Sequence, residues 1–387
     1  DQIDEYGDED LPVTVVPAPT CMPAQTPHGG VGVDADADIE DYDDDDLAAV
    51  SIADAVDRAR AALKPPSDEQ IRIIDAIARG NVVVDAVAGS GKTTTVLHMA
   101  SRYNTQKILL LTYNAKLKFE TRDRADALGL AGLEVHTYHS FCCKYVDRLA
   151  YRDATIAENI YDAAGDLRRD IYVHAYDIII IDEVQDMTPL YYDVSRVAIS
   201  KYTPRLCVLG DRGQSIYGFM GADPRYITLA ERMWHGHAWE RWSLTTSYRI
   251  TRQMAAFVNA LTRIGNMDAP IMRAIKDGPM PVYMYSDVFK LAARIEATAV
   301  LDPGDVFVLA KSVRQHTDSG RRGDQRGVIA QLVDHLSRMN VLLYVPTSDS
   351  AVPDSKVTRG KLVFSTFHQA KGLERKHVFV IGFDESQ

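Results

Sequence analysis

The fold is decided by one stretch, Ala86-Val87-Ala88-Gly89-Ser90-Gly91-Lys92-Thr93, which closely follows the β-branched run Val82-Val83-Val84. A strand that ends in a glycine-rich turn and leads into a helix is the setting of a phosphate-binding loop. The glycines let backbone N–H groups turn toward a phosphate, and the start of the helix adds the positive end of its dipole. Lys92 is expected to reach the β- and γ-phosphates of a nucleotide, and the Thr93 hydroxyl to bind Mg²⁺.

Apolar runs of similar length recur along the chain and predict further strands. They lie at 82–84, 108–111, 178–181 and 206–209, with a second set at 306–309, 362–364 and 378–381. Runs that are apolar on both faces are typical of parallel sheets, and the helical stretches between them give an α/β order. A polar, glycine-rich or acidic segment follows each run of the first set. Because ligands bind at the carboxyl ends of parallel strands, we expect one composite site there.

Charge is distributed unevenly along the 387 residues, whose formal net charge is −11. Residues 1–57 hold 17 acidic residues and no Lys or Arg, whereas the remainder holds 37 acidic and 43 basic residues. This composition predicts a disordered acidic tail before a mildly basic body, and only the body suits a nucleic-acid partner. The tail is interpreted either as a solvated linker or as an acidic arm that mimics nucleic acid or binds a partner protein.

We predict two α/β domains after the tail, at 58–244 and 245–387, with a reduced insertion near 142–176 and a short one near 312–360. The four cysteines lack the spacing of a metal site, so we expect thiols in a reducing, intracellular compartment. No apolar run reaches the roughly 18 residues of a membrane span, and no signal peptide opens the chain. We expect a monomer without membrane association. Because the chain starts at Asp1 rather than Met, we interpret it as a fragment or a processed chain.

A pair of carboxylates follows the run 178–181, in the segment Asp182-Glu183-Val184-Gln185-Asp186. At a strand end beside a phosphate-binding loop, Asp182 is expected to hold Mg²⁺ through water, and Glu183 to orient and deprotonate the attacking water. Gln185 is a candidate sensor of the γ-phosphate. The segment alone is also compatible with a solvated turn, but together with the loop it indicates a nucleotide-hydrolysing centre.

Five motifs in this order resemble those of UvrD/Rep/PcrA-type superfamily 1 helicases, and their spacing agrees from about residue 65 to 382. They are the loop at 86–93, the acidic segment at 182–186, GDRGQSIYGFMGAD at 210–223, TSYR at 246–249 and TFHQAKGLE at 366–374. The compact layout also resembles the F-box DNA helicase branch. The resemblance implies two RecA-like P-loop NTPase domains with ATP between them, and 3′-to-5′ movement on single-stranded DNA.

The resemblance assigns residues to ATP and its hydrolysis. Gln70 matches the glutamine that reads adenine, although 67–70 is also a capping-box sequence before a helix. Arg249 matches an arginine finger, with a surface salt bridge as the alternative, and Gln214 links the γ-phosphate to the DNA groove. Tyr248 matches an aromatic that stacks on adenine, with a core tyrosine as the alternative. The predicted catalytic residues are Lys92, Glu183, Gln214 and Arg249. The predicted nucleotide-binding residues are Gln70, Ala88, Gly89, Ser90, Gly91, Lys92, Thr93, Thr94, Tyr248 and Glu374. The predicted metal ligands are Thr93 and Asp182.

The resemblance also assigns residues to DNA. Phe219 matches the aromatic on which a base stacks, an interaction of roughly 1–3 kcal/mol that tolerates any sequence. A buried core Phe is the alternative, and a structural role is the alternative for the two histidines. The segments at 112–114 and 136–141 match those that contact the strand backbone. The predicted nucleic-acid residues are Thr112, Tyr113, Asn114, His139, Ser140, Phe219 and His368.

Several departures from the family bear on the activity. Met220 replaces an Arg near the path that couples ATP to DNA, and Ser247 replaces an Asn. The short insertions make translocation a safer expectation than processive duplex separation. The sixth motif, with a second arginine finger, is expected beyond Gln387. We therefore expect the chain as given to bind ATP and to hydrolyse it slowly.

The sequence thus predicts a motor that uses ATP and Mg²⁺, moves along single-stranded DNA and acts at duplex junctions. Two alternatives stay open: an RNA-directed helicase of the same superfamily, and a nucleotide-switched interaction module without motor activity. A plain P-loop kinase is disfavoured because it leaves Gln214, Phe219 and the motif at 366–374 unexplained. Repair, recombination and replication of a viral or cellular genome all fit the pattern.

Overall fold

The computed structural model of the protein describes residues 52–199, 202–234, 236–265, 269–302, 304–313, 327–348 and 355–382. Most of the predicted acidic tail, 1–57, lies outside these residues. Its last part, 52–57, is helical instead, because it belongs to Ile52–Ala62, whose alanine-rich sequence favours a helix. Residues 314–326 and 349–354, in the predicted second insertion, also lie outside the described residues.

The strands pair in parallel throughout the described residues. In chain order they are β1 (Asn81–Ala86), β2 (Ile108–Thr112), β3 (Leu133–Thr137), β4 (Ile178–Ile181), β5 (Arg205–Gly210), β6 (Trp239–Leu244), β7 (Thr246–Thr251), β8 (Arg273–Lys276), β9 (Val306–Ala310), β10 (Leu343–Tyr344), β11 (Leu362–Thr366) and β12 (His377–Val380). Each apolar run singled out in the sequence forms a strand.

Helices connect the strands. They are α1 (Ile52–Ala62), α2 (Asp68–Ala76), α3 (Lys92–Arg102), α4 (Ala115–Ala127), α5 (Tyr138–Tyr145), α6 (Asp153–Ile160), α7 (Pro189–Ile199), α8 (Arg225–Thr228), α9 (Ala230–Met233), α10 (Arg252–Ile264), α11 (Val288–Leu301), α12 (Val328–Arg338), α13 (Ser355–Thr358) and α14 (Phe367–Ala370). Short 3-10 turns cover Val184–Asp186, Arg212–Gln214 and Gly218–Met220. In the part of the chain that the structure describes, no helix is both long enough and apolar enough to cross a membrane.

The first sheet has the strand order β3-β2-β4-β5-β1-β6, and all of its pairings are parallel. Its carboxyl ends therefore lie along one edge. β1 lies beside β5, and β5 lies beside β4, so the segments that follow these three strands meet at that edge. The composite site expected from the sequence has its place there.

The central strands of the first sheet are apolar on both faces because helices cover both faces. Val83 and Ile179 are buried in one core with α5, α6 and α7, while Val82 and Ile180 are buried in the other with α2 and α3. Burying one such side chain contributes about 1.5–3 kcal/mol. The predicted insertion near 142–176 contains α6, and it is packed into the first of these cores.

The second sheet has the order β10-β11-β9-β12, again with parallel pairings. Helices α11 and α12 cover one of its faces, where Ile295, Leu332 and Phe364 are buried together. The predicted insertion at 312–360 is therefore partly a component of this sheet, because α12 supplies its core and β10 forms its edge. Strands β7 and β8 form a separate two-stranded ribbon.

The predicted fold class, parallel α/β sheets flanked by helices, is confirmed. Ser51–Gln387 cluster as one compact unit. The predicted division between 244 and 245 stays a prediction. The last strand of the first sheet ends at Leu244, and the ribbon begins at Thr246.

Candidate active site

The phosphate-binding loop lies between β1 and α3, where the sequence predicts it. Two glycines have positive φ angles, +72° at Gly89 and +88° at Gly91, and Gly91 precedes the first helical residue, Lys92. No side chain of the described residues caps this helix start. Because the first N–H groups of a helix have no partner within it, those of α3 are available to bind an anion.

A buried cation lies against two carboxylates at the carboxyl edge of the sheet. Nζ of Lys92 is 3.2 Å from Oε1 of Glu183, and Asp182 is 2% exposed. Burial disfavours the charge of Lys92, but the carboxylates of Glu183 and Asp182 outweigh it and raise its pKa. Burial raises the pKa of Asp182, as does the charge of Glu183. Burial also opposes ionisation of Glu183, but Lys92 keeps the pKa of that carboxyl low.

Glu183 is held in an uncommon backbone conformation. Its φ is +54°, in the left-handed region, where strain of roughly 1–3 kcal/mol is typical of functional sites. Nε2 of Gln185 donates to Oε2 of Glu183 over 2.6 Å, and the N–H of Asp211 donates to Oε1 of Gln185 over 2.9 Å. Nε2 of Gln214 then donates to Oδ2 of Asp211 over 2.6 Å. Gln185, the candidate γ-phosphate sensor, thus orients Glu183 within a hydrogen-bonded chain that reaches Gln214.

The loop and the carboxylates fit a nucleotide with Mg²⁺. Oγ of Ser90 is buried in the loop without a hydrogen-bond partner among the described residues, and a phosphate oxygen would satisfy it. Thr93 and Asp182 offer a hydroxyl and a carboxylate, and Mg²⁺ usually takes few protein ligands beside phosphates and water. Within the described ranges, no three His, Cys, Asp or Glu side chains are grouped so as to hold a metal ion.

Gln70 makes local contacts on both ends of its amide. The N–H of Ser67 donates to Oε1 over 2.9 Å, which completes the capping box of α2. Nε2 donates to the carbonyl oxygen of Gly91 over 3.3 Å, so the side chain also braces the phosphate-binding loop. Contact with adenine would require one of these bonds to be exchanged, and it stays a prediction.

Strand β7 lies against the phosphate-binding loop and carries Tyr248 and Arg249. The N–H of Tyr248 donates to the carbonyl oxygen of Gly89 over 2.9 Å, and its side chain is partly exposed. The guanidinium of Arg249 forms an ion pair with the carboxylate of Glu374, and both side chains are about half exposed. The structure thus brings together, beside the loop, the three residues beyond 245 that the resemblance assigns to ATP.

Aromatic side chains form a row at the same edge of the sheet. This aromatic row consists of Phe219, His368, Tyr217, Tyr113 and Tyr191. Ring centroids of Phe219 and His368 are 4.9 Å apart, and Tyr217 is 5.8 Å from His368. Tyr113 is 6.1 Å from Tyr217 and 5.8 Å from Tyr191. Phe219 is 73% exposed, which excludes a buried core role and leaves its ring open to stacking.

Two members of the aromatic row were missed in the sequence. Tyr217 lies inside the motif at 210–223, and its nearness to Phe219 in that motif was a usable signal. Tyr191, in α7, is only 4% exposed and belongs to the core, so it packs behind the rest of the row and offers no ring face to a base. Only the packing of α7 on α5 places it here, with its ring stacked on Tyr138 at 4.6 Å.

The structure rules out one predicted DNA contact, that of Thr112, and places His139 next to the aromatic row. Thr112 is fully buried at the end of β2, a central strand, so it offers no surface to a nucleic acid. Nε2 of His139 is 2.9 Å from Oδ1 of Asp153, and its ring lies beside Tyr191 at 5.9 Å. His139 therefore continues the aromatic row, although its imidazole already has a carboxylate partner.

Asn114 and Ser140 serve as helix caps in this structure. Oδ1 of Asn114 accepts from the N–H of Lys116 over 2.8 Å at the start of α4. Oγ of Ser140 accepts from the N–H of Thr137 over 2.9 Å in the capping box of α5. Their predicted contacts with DNA stay predictions. The caps give both residues a structural role that the motif alone did not reveal.

A sheet that carries a phosphate-binding loop and an acidic strand end defines a P-loop nucleotide-binding fold. Residues 70–220 match the family model of the AAA domain. The chain is 26% identical over 216 residues to a probable DNA helicase of Mycoplasma pneumoniae, an alignment that covers 55% of this chain and 37% of that protein. It is 30% identical over 152 residues to the ATP-dependent DNA helicase UvrD2 of Mycobacterium tuberculosis, covering 38% of this chain and 20% of that one.

Among solved structures, the chain is similar to Bacteroides sp Pif1 in complex with ADP-AlF4, with a TM-score of 0.36 and 15% identity over 63% of this chain and 53% of that one. This chain spans well under half the length of the two curated relatives. The matched segment and those relatives confirm the predicted resemblance to UvrD-type superfamily 1 helicases.

Proposed function

We propose that this chain is the ATP-driven core of a DNA helicase or translocase, which hydrolyses ATP to move 3′-to-5′ along single-stranded DNA. One observation carries the proposal. The hydrolytic centre and the aromatic row lie on the same edge of the first sheet, joined by the segment 210–219. Gln214 in this segment is hydrogen-bonded into the chain that reaches Glu183, and Phe219 presents an exposed ring.

The nucleotide half of the mechanism follows from the contacts at the loop. The phosphates of ATP would lie on the loop at 86–93 and the start of α3, where Lys92 neutralises their charge. Thr93 and Asp182 would hold Mg²⁺, which supplies further charge neutralisation at the transferring phosphoryl group. Glu183, oriented by Gln185, accepts a proton from the attacking water.

In this mechanism, single-stranded DNA binds to the aromatic row. Bases of single-stranded DNA stack on Phe219 and its neighbours, a mode that holds any sequence. Phe219 belongs to the segment after β5, whereas His368 belongs to α14 beside the second sheet. A nucleotide-dependent movement of the second sheet relative to the first would change the separation of these two rings and so alter the hold on the DNA. Contacts with phosphates would make binding weaken with salt.

The direct test is ATP hydrolysis by the whole chain with and without a single-stranded DNA oligonucleotide. We expect stimulation of roughly 5- to 150-fold, the usual size of a coupling between two sites. Lys92→Ala should abolish hydrolysis in both conditions. Stronger stimulation by an RNA oligonucleotide of the same sequence would favour the RNA-directed alternative. No stimulation by either strand, together with nucleotide-dependent protein binding, would favour the interaction module.

Direction of movement needs a separate experiment. Duplexes with a single-stranded tail at either the 3′ or the 5′ end are mixed with the protein and ATP, and displaced strand is measured. The proposal expects displacement from the 3′-tailed substrate. Displacement from the 5′-tailed substrate alone would reverse the proposed polarity while leaving the motor activity in place.

A further inference from the structure

Lys371 reaches from the second sheet to the acidic end of β4 in the first sheet. Its Nζ lies 2.6 Å from Oδ2 of Asp186, and the two side chains are only 13% and 3% exposed. Lys371 directly follows α14, which follows β11, whereas Asp186 ends the turn after β4. This buried ion pair therefore joins elements that belong to different sheets.

The ammonium has two more partners, both in the segment after β5. Nζ donates to the carbonyl oxygen of Gln214 over 2.7 Å, and it lies 4.8 Å from the centroid of the Tyr217 ring. A carboxylate, a carbonyl and a ring face together offset the cost of burying the charge. Because three fixed partners surround it, a shift of any one of them is transmitted to Lys371.

On the nucleotide side, Asp186 is linked to the proposed general base. Nε2 of Gln185 donates to Oε2 of Glu183 over 2.6 Å and also to Oδ2 of Asp186 over 3.2 Å. The side-chain amide of Gln185 thus links Asp186, the partner of Lys371, to Glu183, the proposed general base.

On the strand side, Lys371 is tied to the aromatic row through the short helix that precedes it. His368 lies in α14, and its ring is 4.9 Å from that of Phe219. The carbonyl oxygen of His368 also accepts a hydrogen bond from the Tyr217 hydroxyl over 3.1 Å. A single helical turn is stiff, so a displacement of His368 by a bound base would move Lys371 with it.

We propose that Lys371 is a positioning residue that couples the aromatic row to the hydrolytic centre, with Asp186 as its counter-charge. The inference rests on the proposed ATP-driven motor and names the contact through which strand binding would reach Glu183. A strand on the row shifts α14, Lys371 changes its hold on Asp186, and Gln185 passes the change to Glu183. In this role Lys371 acts through Asp186 and Gln185 and needs no contact with the reacting phosphate or the water.

The test uses Lys371→Met in the whole chain, which keeps the length of the side chain and removes its charge. The decisive quantity is the ratio of ATP hydrolysis with saturating single-stranded DNA to hydrolysis without it. We expect this ratio to fall by roughly 5- to 150-fold, whereas the Kd for DNA changes far less. Lys376→Met is the matched control, because Lys376 makes an exposed ion pair with Asp302, and its ratio should equal that of the parent chain.

A partner variant separates coupling from a purely structural role. Asp186→Asn is nearly isosteric, and it provides the same readout should Lys371→Met fail to fold. In the double variant Lys371→Met with Asp186→Asn, the stimulation ratio should be no lower than in either single variant. Each single substitution already removes the same ion pair. Lys371→Arg, which keeps the charge, should restore part of the ratio.

Two results would overturn the inference while the motor stands. One is an unchanged ratio in both Lys371→Met and Asp186→Asn. The other is a loss of stimulation that merely parallels losses of DNA affinity and thermal stability, which a structural role explains. A parent chain that DNA does not stimulate would refute the proposed function itself, and the coupling with it.

Discussion

The backbone N–H of Tyr248 donates a hydrogen bond to the carbonyl oxygen of Gly89 over 2.9 Å, which fixes β7 against the phosphate-binding loop. The approach is close, since a Cβ built on Gly89 would lie 2.4 Å from Cβ of Arg249 and 2.8 Å from Oγ of Ser247. Gly89 is required both for space and for its φ of +72°. The shape of the loop and the position of the predicted arginine finger are therefore determined together.

Gly89→Ala is expected to weaken nucleotide binding. A left-handed backbone costs a residue with a Cβ about 1–2 kcal/mol, and the contact with Arg249 adds to this cost. The affinity for ATP should therefore fall roughly tenfold or more, at 1.4 kcal/mol per tenfold. Titration with a fluorescent ATP analogue measures the change.

The control for this prediction is Gly165→Ala. Gly165 has a similar φ of +84°, but a Cβ there meets nothing within 4 Å. Gly165→Ala therefore has the same unfavourable backbone conformation but no steric clash, and it lies away from the phosphate-binding loop. Its ATP affinity should be unchanged. An unaltered affinity in Gly89→Ala would mean that β7 can withdraw from the loop without consequence for the nucleotide.

Glu183→Gln is expected to separate ATP binding from hydrolysis. The amide keeps the shape of the side chain but cannot accept a proton from water, so the rate should fall roughly 10²- to 10⁴-fold. ATP affinity should be kept, because phosphates replace the carboxylate as the partner of Lys92. Single-turnover hydrolysis and ATP titration measure the two effects. Glu240→Gln is the control, because it removes only the surface partner of Arg79 and should hydrolyse ATP normally. Equal losses of ATP affinity and hydrolysis rate in Glu183→Gln would contradict the role of Glu183 as a general base.

The centre of the first sheet could be predicted because its strands are buried on both faces. The run 178–181 contains only isoleucine, and such a short β-branched run is typical of a strand inside a parallel sheet. The edge strands were missed for the opposite reason. Leu133–Thr137 and Trp239–Leu244 have charged or polar residues between their apolar ones, so neither contains the continuous apolar run of the central strands.

The motifs fixed which residues gather at the carboxyl edge, but not what each side chain does there. Gln70, Asn114 and Ser140 make their hydrogen bonds to nearby backbone, and such local bonds compete with the contacts that a motif implies. Lys371 lies inside the motif at 366–374, but its partner Asp186 is far away in the chain. A contact of that kind depends on how the two sheets pack and has no local sequence signal.

Phe219→Ala is expected to weaken binding of single-stranded DNA without disturbing the fold. The ring is 73% exposed, so its removal leaves no cavity, while the lost stacking costs roughly 1–3 kcal/mol, or about 5- to 150-fold in Kd. Fluorescence anisotropy with a labelled oligonucleotide measures Kd. Phe289→Ala removes another exposed ring, on α11, and should bind DNA normally. The same Kd for Phe219→Ala and the parent chain would place the strand elsewhere on the surface.

Glu134 accepts hydrogen bonds from several side chains at the edge of the first sheet. Nε2 of His136 and the hydroxyl of Tyr176 each lie 2.7 Å from its carboxylate, and the ammonium of Lys144 pairs with it. Burial acts to raise the pKa of this carboxyl, but the bonds from His136, Lys144 and Tyr176 outweigh it and hold the pKa well below its usual range.

This lowered pKa makes the contribution of Glu134 to stability depend on pH. A carboxyl whose pKa is lower in the folded chain stabilises the fold fully above its unfolded value, about 4.3 for Glu, and loses this effect as the pH falls toward the folded value. The Tm of the parent chain should therefore exceed that of Glu134→Gln most at neutral pH, and the gap should narrow below about pH 4. Glu158→Gln, on the exposed side of α6, should show no such narrowing. A gap for Glu134→Gln that stays constant from neutral to acid pH would mean that the residue stabilises the fold through its shape rather than its charge.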